Sequence, residues 1–397
     1  MRDLILALSF TGGLAAAAAG PLLAALFTGL SLWERNVERS AVWPVVSIAL
    51  GLAVIGIGLG LPLAWAGYRA WRGMPSPAMR PGKWWSWLVA LVGVLMIGQA
   101  VAFAGPADLA RPVFQLAAAI LPAFVCLSLA FNAAGQPARA VTWHRALGSL
   151  AWGGLGSASL AALIELLIAL VAVLLLALGI LLFDPALAEQ LWALALELRA
   201  ADQLLDLTQV RDIIAAPLFA LGVLGLLGVI GPLVEELLKA LATPWVIAVG
   251  GRPDRLSGFL IGVTAGAGFA IVEGVLNGAV ALRMSEMWAG LMLLRSAAAA
   301  MHCLAAGLAG LGWQMALIER RRLAGAGLGM LAFGLHSAWN TAVALIGLLS
   351  LHSNALADPA ALARLGITGL LVVFLMALAL LVIAELAFIP WWLARTT

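Results

Sequence analysis

The chain has 397 residues, of which 64% are hydrophobic and 10% charged, and its mean hydropathy is +1.08. A water-soluble core cannot use that much apolar surface, so a soluble fold is excluded and a polytopic membrane protein is expected. A net charge of +3 gives no basic field for nucleic acid, and two cysteines, Cys126 and Cys303, both inside apolar runs, exclude a disulfide framework.

Apolar runs of roughly 20 to 30 residues recur along the whole chain, and no ten-residue alternation suggests a barrel. The expected fold is therefore an all-α transmembrane bundle, in which every backbone group bonds within its own segment. The first run, Leu4 to Trp33, is longer than a signal-peptide core and reads as a retained span, although Ala15 to Ala19 resembles a cleavage site. A second, Val42 to Gly67, precedes a loop carrying Arg69, Arg72, Arg80 and Lys83 with no acid, which the positive-inside rule places in the cytoplasm. Spans at Trp84 to Gly105 and Pro112 to Ala134 return the chain to a second basic loop with Arg139, His144 and Arg145.

A fifth span, Ala151 to Phe183, opens onto Asp184, Glu189, Glu197, Asp202 and Asp206, an acidic segment expected outside as surface helix. A soft boundary near residue 205 divides an N-terminal region of five spans, 1–205, from a C-terminal domain, 206–397. Ile213 to Gly250 is then apolar for 38 residues, about 57 Å as one helix and too long for one crossing of a ~30 Å core. The loops Arg252 to Arg255 and Glu319 to Arg322 are both expected inside, so an odd number of crossings must precede them. One part of this stretch should cross and the other be re-entrant or surface-lying, with Gly231-Pro232 as the break. Spans at Ser257 to Leu282, Gly290 to Ile318, Ala324 to Leu349 and Gly366 to Trp392 complete about ten, with both termini inside.

The second half places Glu235, Glu236, Lys239, Glu273, Asn277, Arg295, His302, His336 and Asn340 at membrane depth, where ionisable groups usually face a bundle interior. Counted from the outer ends, Glu273, His302 and His336 lie roughly 13, 18 and 21 Å in, and Glu235 and Glu236 fall near the same level. Helical spacing puts Gly258, Gly262, Gly266 and Glu273 on one stripe, Arg295, Ala299, His302, Ala306 and Ala309 on a second, and Gly325, Gly329, Ala332, His336 and Asn340 on a third. Small residues at this spacing let helices approach backbone to backbone, so the polar groups face neighbours rather than lipid.

Each residue alone has a plainer reading. A single intramembrane His is commonly a helix-helix hydrogen bond, Glu236 with Lys239 a neutralising i, i+3 pair, and Arg295 a side chain reaching the outer headgroups. Glu165 and Glu385 read as structural, and Cys303 points about 100° from His302. Chance explains three acids and two histidines on matched faces poorly. Such a set suits hydrolysis, with a Glu taking a proton from water while His residues or a metal stabilise the oxyanion, or it suits ion transport. No His-Glu-x-x-His helix is present, so a metal site must be assembled across spans.

Glu235-Glu236-x-x-Lys239, Phe269-x-x-x-Glu273, His302, and His336-x-x-Trp339-Asn340, in that order on consecutive helices, resemble the PrsW family of intramembrane proteases, relatives of the CAAX prenyl proteases and the bacterial CPBP group. The resemblance covers about Gly231 to Leu349. It implies a four-helix catalytic core and peptide-bond hydrolysis in the membrane, by a metalloprotease or glutamic-type mechanism, on a single-span, anti-sigma-factor-like substrate in the bacterial inner membrane. It also implies Glu235 and Glu236 as the water-activating carboxylates, Glu273, His302 and His336 as metal or oxyanion ligands with Zn2+ as the metal, and Asn340 as a supporting donor. Relatives often carry Asn directly after the motif Glu, where this chain has Gly274, with Asn277 a turn later. The alternatives are a proton-coupled transporter, which predicts paired broken helices where only Gly231-Pro232 is found, and a non-catalytic binding or immunity protein.

The orientation is directly testable. A reporter active only in the cytoplasm should be active when inserted at residue 75 or 320 and inactive when inserted at residue 190; activity at 190 would contradict the topology.

Overall fold

The computed structural model describes residues 2–33, 39–103, 110–135, 141–183, 189, 192, 217–248, 252–350 and 359–396. Among the described residues there is no strand, and ten helical stretches are long and apolar enough to cross a membrane, as the sequence leads one to expect. They begin with α1 (Arg2–Trp33), α2 (Arg39–Trp71), α3 (Trp84–Phe103) and α4 (Ala110–Ala134). The fifth span starts earlier than expected, with α5 (Trp143–Ala151) running through a π-helical turn (Trp152–Ser157) into α6 (Ala158–Phe183). After α7 to α9, described below, come α10 (Arg255–Gly278), α11 (Trp288–Leu317), α12 (Arg322–Ser350) and α13 (Pro359–Thr396). The chain is thus a multi-pass helical membrane protein.

Contacts group the chain into two compact units, Met1–Ser159 with Glu235–His336 and Ala377–Thr397, and Leu160–Val234 with Ser337–Met376. The expected boundary near residue 205 and the acidic surface segment fall almost wholly outside the described residues.

In the first unit α10 is the core helix: Phe259, Leu260, Ile261, Val263 and Ala265, which point around its whole circumference, are all fully buried. Its glycines permit this. A Cβ at Gly262 would meet the Ala306 carbonyl carbon at 2.8 Å and Gly307 Cα at 2.9 Å, so α10 and α11 touch backbone to backbone. On the other side a Cβ at Gly268 would lie 2.9 Å from Gly154 N, where the π-helical turn presses against α10. The expected stripe on α12 is only partly an interface: Gly325 abuts Gly312, but Gly329 faces open space. The N-terminal end of α10 and the C-terminal end of α11 are clamped together. Asp254 caps α10 through Ser257 N at 2.7 Å, and the Arg255 guanidinium grips both oxygens of Glu319 at 2.7 and 2.6 Å. The hydrogen bond from Arg255 holds the Glu319 carboxyl below its usual range, so the clamp is complete above ordinary carboxylate pKa values and is lost as the pH falls through the lowered one.

The sixth span corrects the expected re-entrant break. Among the described residues the chain is one helical run, α7 (Pro217–Gly225), a π-helical turn (Leu226–Ile230), α8 (Gly231–Ala240) and, after a turn at Leu241, α9 (Ala242–Ala248). A single crossing satisfies the parity argument, and the Gly231-Pro232 step is absorbed by the π turn. The physical reason lies in the second unit. Pro232 has no N–H to give either the Gly228 carbonyl, in an α-helical pattern, or the Leu227 carbonyl, in a π-helical one. Ser337 Oγ donates to Gly228 O at 2.5 Å and Asn340 Nδ2 to Leu227 O at 3.2 Å, so two α12 side chains replace the missing donor.

Ser337→Ala should therefore lower stability by about 1–3 kcal/mol, the cost of an orphaned carbonyl. Pro232→Ala in the same background should recover most of the loss by restoring an N–H. Thermal unfolding of the four members of this cycle in detergent checks it, and additive effects would contradict it.

Candidate active site

All the residues expected at the site except Asn340 fall in the first unit, on α8, α10, α11 and α12. Glu235, Glu236, Lys239, His302 and His336 are all buried, and the Lys239 side chain is fully so. Adjacent glutamates on a helix diverge by about 100°, yet both reach the Lys239 ammonium, Glu236 Oε1 at 2.6 Å and Glu235 Oε2 at 3.4 Å. The i, i+3 pair is thus only part of Lys239's role. Its Nζ also lies 2.9 Å from His302 Nδ1 and 4.3 Å from the Phe269 ring centroid, which gives the Phe of the Phe269-x-x-x-Glu273 motif a cation-π function.

Hydrogen bonding fixes both imidazoles. An ammonium has only protons to offer, so it donates to His302 Nδ1, which leaves the imidazole proton on Nε2, facing Glu273 Oε2 in a short ion-pair contact. His336 Nδ1 pairs with Glu236 Oε1 at 2.8 Å, leaving Nε2 as its lone-pair nitrogen. That Nε2 is 3.8 Å from Glu235 Oε2, and His302 Nδ1 is 3.9 Å from the same oxygen. The rings stand edge to face with centroids 4.7 Å apart. Each histidine therefore turns one nitrogen to a carboxylate and the other toward Glu235, the usual arrangement around a metal-ligating imidazole.

Glu235, His302 and His336 offer three ligand atoms within 4.8 Å of one another, a donor set suited to zinc. Tetrahedral coordination at ~2.0–2.1 Å spaces donors roughly 3.4 Å apart, so the separations from Glu235 need to close by only about half an ångström. Glu273, expected as a ligand from the family resemblance, is outside that group. Its Oε1 accepts from Asn277 Nδ2 at 2.9 Å, and its Oε2 makes ion-pair contacts with His302 Nε2 and with Arg295 Nη2, the latter at 3.0 Å. Arg295 thus pairs with Glu273 rather than reaching for headgroups, a partnership that helix-face reasoning on α11 alone did not find. Position 274 lies close to α4, with a Cβ placed 3.1 Å from Ala119 O, and Asn277 one turn on supplies the amide for Glu273. Asn340 makes its bond to Leu227 O in the second unit. Cys303 is buried and outside the donor group, as its direction on α11 implies.

Three buried polar atoms in the cluster have no hydrogen-bond partner, Glu236 Oε2, Glu273 Oε2 and Arg295 Nε, and the last two belong to an ion pair. Glu236 Oε2 is free of both charged neighbours, while Oε1 of the same carboxylate accepts from His336 and is ion-paired with Lys239.

The profile of the PrsW family intramembrane metalloproteases matches residues 111–383. No curated protein and no solved structure matches the chain. The match begins well before the motifs and takes in the fourth and fifth spans. Both spans pack on α10: Gly268 and Gly274, which flank Glu273, lie against the fifth and fourth spans respectively.

Proposed function

Because the chain belongs to the PrsW family of intramembrane metalloproteases, and so is a membrane-embedded peptide hydrolase, we propose that Glu235, His302 and His336 hold a zinc ion and that Glu236 is the base that activates the attacking water. The observation that carries this reading is the paired arrangement of the two imidazoles, each anchored through one nitrogen by a carboxylate and presenting the other to Glu235. Glu273 and Glu236 are the anchors, and Arg295 and Asn277 fix Glu273 in turn.

When bound, the ion supplies Lewis-acid charge to the water and to the scissile carbonyl oxygen. The protein's own groups do the rest. Glu236 Oε2, free of other partners, takes the proton from water as the oxygen attacks the peptide carbon and returns it to the leaving amine as the C–N bond breaks. Its Oε1 stays held by His336 Nδ1, so the carboxylate keeps its orientation through both transfers. The walls of the site are helix backbones in close contact, which excludes bulk water and gives the buried charges their strength.

The substrate on this reading is a membrane-anchored protein with a single apolar span, of the anti-sigma-factor type, and the setting is a bacterial inner membrane. A site buried among transmembrane helices serves a chain already within the bilayer better than a soluble one.

With a single-span substrate co-reconstituted in liposomes, Glu236→Gln and His302→Ala should each reduce cleavage by about a hundredfold or more while the protein stays folded. Undiminished cleavage in both variants would remove these residues from the chemistry. Dialysis against a zinc chelator should abolish the wild-type activity and added Zn2+ should restore it; activity indifferent to both would leave a metal-free glutamic mechanism.

A further inference from the structure

The Lys239 ammonium stands where a metal ion would draw its ligands. It is 2.9 Å from His302 Nδ1 and 3.4 Å from Glu235 Oε2, two of the three atoms assigned above as metal donors. An imidazole nitrogen has one lone pair, so His302 Nδ1 accepts from the ammonium or binds a metal ion, not both. Charge leads to the same conclusion. Glu235 and Glu236 bring two negative charges to a buried cluster, and a divalent ion beside a retained ammonium would face strong repulsion at low dielectric.

Resting on the assignment of Glu235, His302 and His336 as metal ligands, we propose that Lys239 is the resident cation of the metal-free site and that a divalent ion enters only by displacing it. The lysine is then a positioning residue with two effects. It keeps the carboxylates and His302 assembled before metal arrives, so the site does not collapse or flood when empty. It also sets a threshold, because only an ion binding strongly enough to displace the ammonium from Nδ1 is admitted, which favours zinc over magnesium or calcium. The motif spacing serves this directly: three residues on from Glu236 and four from Glu235, Lys239 stands on the helix face that both glutamates border.

The test uses full-length protein in detergent micelles, with Zn2+ titrated against a competing chromophoric chelator. Lys239→Met should bind Zn2+ at least about tenfold more tightly than wild type, and saturating Zn2+ should raise its melting temperature by more than it raises that of wild type. Equal or weaker binding by Lys239→Met overturns the proposal. Glu235→Gln and His336→Ala are measured in parallel: if they bind Zn2+ as well as wild type, the ligand assignment fails whatever Lys239→Met does. Should Lys239→Met not fold, the wild type decides. Its sequence contains two lysines, Lys83 and Lys239, so [15Nζ]lysine labelling gives two signals. Saturating Zn2+ should shift the Lys239 signal and leave that of Lys83 in place, and an unmoved Lys239 signal at saturation overturns the proposal.

Discussion

A lysine ammonium with no exposure to solvent, held by two glutamates and a histidine, is the interaction on which the rest of the site depends. Buried charge is tolerated only when paired and hydrogen-bonded, and removing one partner costs far more than the pair contributes. Here the pairing extends as a chain. Arg295 compensates Glu273, Glu273 orients His302, His302 and Lys239 meet at Nδ1, Lys239 bridges Glu235 and Glu236, and Glu236 orients His336. No group in this sequence can be changed without leaving a neighbour uncompensated, which makes the layer rigid in the way that a pre-organised catalytic site requires.

The scaffold makes those distances possible by being small where it touches. Glycines on α10 bring α11 to backbone contact on one side and the π-helical turn after α5 to contact on the other, so His302 and Glu273 meet across a gap that leucine-lined helices would hold open. In the second unit a comparable local solution is made with polar side chains. The missing N–H of Pro232 is replaced by Ser337 and Asn340, which turns what looks in sequence like a helix breaker into a continuous span.

Much of the fold was legible because hydropathy and charge placement act on long stretches: ten spans, the burial of the glycine stripe on α10 and the gathering of acids and imidazoles all follow from periodicity and composition. What was not legible depended on which helix faces which. Arg295 read as a headgroup contact because nothing on α11 announces Glu273 on α10, and the bond of Asn340 to Leu227 O exists only once the π turn has freed that carbonyl. The 38-residue apolar stretch forced a choice between a break and a long helix, and the sequence alone does not reveal that side chains from another span would repair the helix at Pro232. The motifs also understated the family's reach, since their first glutamate lies far beyond residue 111, where the family match begins.

The identity of the metal donors can be read from X-ray absorption at the zinc K-edge of the zinc-loaded protein. The first shell should contain two imidazole nitrogens and carboxylate or water oxygen at ~2.0–2.1 Å, with no sulfur, and His302→Ala and His336→Ala should each remove one imidazole contribution. A sulfur scatterer, or a shell unchanged in both variants, would contradict this donor set.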